Sequence, residues 1–87
     1  MIVNLPIEMI CSFALDGTPT PIRFRTKLDG EERSVVVIET VIQMDIEKIN
    51  GQKTYKYKCK SIIDGFRREV ILRYFTNECV WKLDRVQ

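Results

Sequence analysis

The sequence predicts an all-β domain, an antiparallel meander of five or six strands curled into a small barrel or half-barrel, and three observations support this. Two dipeptides suited to two-residue hairpin turns, Asn50-Gly51 and Asp64-Gly65, each separate runs in which apolar and polar residues alternate. The registers imposed by these turns bring together inner rows chosen independently on each strand. No stretch makes a strong claim to a helix, and long strands with so little to cover them curl rather than lie flat.

The first strand spans Ile7 to Leu15, with Met9, Cys11, Phe13 and Leu15 alternating with Glu8, Ile10, Ser12 and Ala14. The segment Asp16-Gly17-Thr18-Pro19-Thr20-Pro21 reads as a turn, since its prolines lack the N–H that a ladder needs. A second strand resumes at Ile22. Ile22, Phe24, Thr26 and Leu28 point inward, and Arg23, Arg25 and Lys27 form a wholly basic outer row. Asp29, Gly30, Glu31, Glu32 and Arg33 then make a polar, largely acidic hairpin loop.

Ser34 to Ile49 is the ambiguous segment, because its tail could be drawn as a helix. Its β-branched run Val35 to Ile38 and the turn at Asn50-Gly51 favour one long strand. If Ile49 faces Gln52, Ile46 meets Tyr55, Met44 meets Tyr57, Ile42 meets Cys59, Thr40 meets Ser61 and Ile38 meets Ile63, so the inner rows coincide. That register also sets Asp45 beside Lys56, an opposite-charge pair of the kind that contributes roughly 0.2–1 kcal/mol.

The hairpin from Lys53 to Phe75 is the centre of the chain. With Ile63 facing Phe66, Ser61 faces Arg68, Cys59 faces Val70, Tyr57 faces Leu72 and Tyr55 faces Tyr74 on the inner side. The outer side pairs Lys60 with Glu69, Lys58 with Ile71, Lys56 with Arg73 and Ile62 with Arg67. After a loop at Thr76-Asn77-Glu78 a last strand, Cys79 to Asp84, carries Trp81 and Leu83 inward, and the Trp81 ring fills the barrel mouth with its indole N–H seeking one acceptor.

Eighty-seven residues make a single domain, residues 1–87, that buries about two-thirds of the surface of its unfolded chain. A net charge of +2 excludes a polybasic tail and leaves room for segregated charge on the folded surface. The apolar start has no basic region ahead of it and is broken by Pro6 and Glu8, so it reads neither as a secretory signal nor as a membrane span, and a cytoplasmic location is expected. Cys11, Cys59 and Cys79 are odd in number and widely spaced, and histidine is absent, which argues against a disulfide framework, a metal site and Ser-His or Cys-His nucleophiles. Cys59 reads as a small apolar core residue between Tyr57 and Ser61. Glu39 and Asp45 are too far apart along one strand for a glycosidase-like acid pair, and every glycine stands alone in a turn. No catalytic, cofactor-binding or metal-ligating residue is expected, and the domain reads as non-catalytic.

Two surfaces remain. On the outer face, Val37 and Val41 of the third strand with Ile62 and Ile71 make an apolar seam on a side that should be wet. Either the first strand or Met1 to Pro6 folds back over it, or it meets another protein, most simply a second copy in a twofold homodimer. Arg23, Arg25, Lys27, Lys56, Lys58, Lys60, Arg67 and Arg73 form basic outer rows. These either follow a nucleic-acid backbone, as small β-barrels that bind single strands do, or solubilise and protect the strands. The aromatics Phe24, Tyr55, Tyr57, Phe66, Tyr74 and Trp81 are expected inside, leaving no stacking platform among the charges.

The elements PIRFR at Pro21 to Arg25, YKC at Tyr57 to Cys59, ILRY at Ile71 to Tyr74 and WKL at Trp81 to Leu83 resemble a family of short bacterial all-β proteins of unknown function. The resemblance covers most of the chain from Pro21 onward, although some relatives have an aromatic residue where Arg25 stands. It implies a bacterial source and a small β domain, and it transfers no site residue because the family has no assigned activity.

Overall fold

The computed structural model describes residues 2–26 and 34–87, and their side chains from residue 4 and from residue 35 onward. Six strands follow one another: β1 (Ile2–Phe13), β2 (Pro19–Thr26), β3 (Ser34–Ile49), β4 (Gln52–Ile63), β5 (Phe66–Phe75) and β6 (Val80–Val86). Each pairs antiparallel with the next, and β6 returns to β1 to close a barrel. The expected inward Leu28, outward Lys27 and the acidic loop from Asp29 to Arg33 lie outside the described residues. Among the described residues there is no helix, and so none long and apolar enough to cross a membrane.

Closure comes from a segment that alternation alone did not assign. β1 begins at Ile2 rather than Ile7, and its first half pairs with β6 through Leu5↔Leu83, Pro6↔Lys82 and Ile7↔Trp81. Ile2 to Pro6 therefore seal the barrel and do not fold over an outer seam. A bulge between Ile2 and Leu5 bends the strand at Asn4, whose φ of 48° lies in the left-handed region that asparagine tolerates.

The two hairpin turns form as predicted. Asn50 and Gly51 have φ of 51° and 79°, and Asp64 and Gly65 have 52° and 81°, so both central residues are left-handed, as a type I′ turn requires. From the second turn the β4–β5 register runs without interruption, from Ile63↔Phe66 to Tyr55↔Tyr74. The β1–β2 turn is held by Asp16, whose Oδ1 accepts the Thr18 N–H at 2.9 Å. This bond lowers the Asp16 pKa from its ordinary value.

Bulges correct the expected faces along β3–β4 and β1–β2. Along β3–β4 the predicted register holds from Ile49↔Gln52 to Gln43↔Lys58, and then Val41 rather than Ile42 stands opposite Cys59 and Ile38 rather than Thr40 stands opposite Ser61. A strand of 16 residues can follow the curvature of so small a barrel only by inserting such extra residues. Between β1 and β2, Ile10 pairs with Arg23 and Cys11 with Pro21, so Ile22 is skipped and is exposed rather than inward. That change of phase turns both Pro19 and Pro21 into the interior along with Phe24 and Thr26. The prolines are strand residues after all. They stand where β2 has β1 on one side and no described strand on the other, and an edge tolerates proline. Between β5 and β6 the extra residue is Asp84, which keeps Leu83 and Val86 both inside.

The core gathers Phe24, Val36, Tyr57, Cys59, Val70, Leu72, Trp81 and Leu83, with Val41 packed against it. Trp81 lies 5.0 Å from Tyr74 and 5.7 Å from Tyr57 between ring centroids. Phe66 departs from expectation. It is opposite Ile63 but 66% exposed, because it sits beside the turn, past the end of the packed interior.

Candidate interaction edge

β3 is twice as long as β2, 16 residues against 8, and this mismatch creates the site. Among the described residues β2 pairs with β3 only from Thr26↔Ser34 to Arg23↔Val37. From Ile38 to Ile49, β3 has β4 on one side and, among the described residues, no strand on the other. The barrel is thus closed at one end and splayed at the other, with an open edge between the proline stretch of β2 and the far half of β3.

The open edge is apolar on one face. Met44 and Ile46 stand opposite the buried Tyr57 and Tyr55, on the inner face of the sheet, yet they are 40% and 56% exposed, and neighbouring Ile42 is 43% exposed. They belong to an inner row that has outrun the strand that would cover it. The other face is polar. Gln43 donates to Asp45 Oδ2 at 3.0 Å, and Glu47 accepts from Arg73 at 2.8 Å. Asp45 is opposite Lys56, as expected from the turn register.

The seam expected on the outer face divides. Val37 and Ile62 are both exposed, and each lies one residue beyond the pair Ile38↔Ser61, so they remain outer-face neighbours. Val41 is turned against the core by the bulge at Ile42. Ile71 keeps its outer position but is buried between Lys58 and Arg85, long side chains whose stems shield apolar surface. Apart from the exposed Val35 and Val37 near its start, the exposed apolar row on β3 is therefore Ile42, Met44 and Ile46. Alternation assigned these to the core, and the signal that marks them is the length of the third strand against the second.

Much of the basic surface is committed to carboxylates. Arg25 pairs with Glu8 at 2.5 Å, Lys58 with Glu69 at 3.4 Å, Arg67 with Glu39 at 3.1 Å, and Arg73 with Glu47 at 2.8 Å and Asp84 at 3.5 Å. Arg23, Lys56 and Lys60 complete the described cations of those rows, and Lys27 lies outside the described residues. Tyr55, Tyr57, Tyr74 and Trp81 are buried, so only Phe66 of the six aromatics expected inside offers an open ring.

The thiols are graded by burial. Cys59 is fully buried and its pKa is pushed up to about 12 by desolvation, while burial raises Cys11 against the opposing hydrogen bond from Trp81. Cys79 is exposed. In the native protein a disulfide reagent should titrate Cys79 first, and Cys59 only at the rate of unfolding. The same burial makes Cys59 a source of alkaline instability: above its ordinary value of 9.0 the unfolded chain loses the thiol proton that the folded chain holds, so stability falls until about pH 12. Denaturant titrations between pH 8 and 11 should show a shallower decline for Cys59→Ala than for the wild type. Among the described residues no three His, Cys, Asp or Glu side chains converge to hold a metal ion.

The site and fold together define a small closed β-barrel with one long strand left open along its edge. The chain matches no protein-family model, no curated protein and no solved structure.

Proposed function

We propose that this protein is a non-catalytic interaction module that binds another protein, or itself, through β3. The observation that carries this reading is the coincidence of two features on one stretch: backbone with a strand on one side only, and the exposed row Ile42, Met44 and Ile46. An unpaired edge offers a ladder of N–H and C=O groups to an incoming strand, and the apolar row supplies the side-chain contacts that make such an addition selective. The pairing of Arg25, Lys58, Arg67 and Arg73 with carboxylates weighs against the basic rows as a phosphate-binding track, since each engaged cation has less charge to offer a backbone.

Met44→Lys with Ile46→Lys tests the reading, since both positions are exposed and the domain should stay folded. The double variant is expected to lose association, read both as mass in solution and as the proteins that co-purify with the chain. A folded double variant with the wild-type mass and the same co-purifying proteins overturns it.

A further inference from the structure

We infer that the occupant of the open edge is a second copy of this chain, with β3 pairing antiparallel to its twin about a twofold axis at Met44; this rests on the interaction reading above and specifies the partner. The argument is one of register. In an antiparallel pair, directly opposed residues share a face, so the row Ile42, Met44, Ile46 meets itself only in registers centred on a residue rather than between two. Like charges set directly opposite are destabilising, and the centres at Asp45 and Ile46 incur them. An axis at Asp45 opposes Asp45 to itself and one at Ile46 opposes Asp45 to Glu47, while an axis at Gln43 or Ile42 leaves Ile46 facing residues beyond the exposed row, across the bulge at Ile42.

The axis at Met44 incurs none of these. It sets Met44 against Met44, Ile42 against Ile46 on both sides of the axis, and Gln43 against Asp45. Beyond Ile42 the bulge breaks the alternation, so the matched stretch runs from Ile42 to Ile46. The exposed apolar row thus becomes a continuous strip shared by both copies. On the other face the amide of Gln43, which already donates to Asp45 within the chain at 3.0 Å, lies opposite the Asp45 carboxylate of the second copy. The segment Ile42 to Ile46 is a palindrome in polarity, and a twofold, self-complementary interface needs that property.

Light scattering over a range of concentrations should give a species of twice the 10.2 kDa chain mass. Met44→Cys, made in a Cys79→Ser background and treated with oxidised glutathione, should form an intermolecular disulfide, because the two residues 44 face each other at the axis. Ile46→Cys in the same background should not, since its twin lies four residues along the partner strand, about 13 Å away. Gln43→Glu, at an exposed position, should weaken the dimer about tenfold by opposing two pairs of carboxylates.

Equal cross-linking from Met44→Cys and Ile46→Cys overturns the register. A monomer at all concentrations overturns the second copy as occupant. If that monomer still co-purifies with a protein that Met44→Lys with Ile46→Lys abolishes, the occupant is a different polypeptide and the interaction reading stands. If it shifts in mass only with an added mixed-sequence oligonucleotide at low salt, both fall.

Discussion

Trp81→Ala should cost about 3–5 kcal/mol, the range for deleting a large buried ring, and so remove much of the stability of a domain this small. Trp81 is the hub of the aromatic cluster, its ring centroid 5.0 Å from that of Tyr74 and 5.7 Å from that of Tyr57. It also lies opposite Ile7, on the pairing that closes the barrel. Its removal therefore opens a cavity and loosens the β1–β6 seam together. Trp81→Phe keeps a ring at the position, so it should lose far less. Urea unfolding followed by circular dichroism separates the two. A Trp81→Ala midpoint within 1 kcal/mol of wild type, on the ordinary slope for a chain of this length, would show that the ring is not what holds the mouth shut.

Which parts of this architecture can be read from the residues follows from where the constraint is local. The β4–β5 hairpin and the first seven pairs of β3–β4 follow from Asp64-Gly65 and Asn50-Gly51, because a two-residue turn and period-two alternation leave one register available. Beyond Gln43 the prediction fails by one residue and then by two, since bulges answer to barrel curvature, a property of all six strands that no local window contains. The prolines of β2 misled for a related reason: whether a missing N–H matters depends on whether a strand lies beside it, and the short β2–β3 pairing leaves that side open. The interaction edge was hidden in the same way. Ile42, Met44 and Ile46 alternate as core residues do, and they are inner-face residues, but the strand that would bury them ends too soon. Polarity reports which face a residue is on, and only the relative lengths of neighbouring strands report whether that face is covered.

Tyr57→Phe should cost about 1–3 kcal/mol, the penalty for orphaning a buried acceptor. The Tyr57 hydroxyl donates to the Pro19 carbonyl, tying β4 to the start of β2 across the interior. Pro19 is itself fully buried, so no water replaces the lost donor. This bond lies where β2 and β3 have parted, and there it does what ladder hydrogen bonds do elsewhere in the barrel. The loss should accordingly be felt first at the β1–β2 turn, where the Ala14 and Gly17 amides, bonded to Thr18 and Ala14 at 2.9 Å each, should exchange their hydrogens faster than the amides of β4 and β5. The effect also has a pH signature. Burial raises the Tyr57 pKa well above its ordinary 10.0, so above pH 10 the unfolded wild-type chain ionises a group that the folded chain keeps protonated, and wild-type stability falls. The phenylalanine variant has no such group, and the gap between the two proteins should narrow from pH 9 to pH 11. A gap that stays constant across that range would mean that Tyr57 is not desolvated.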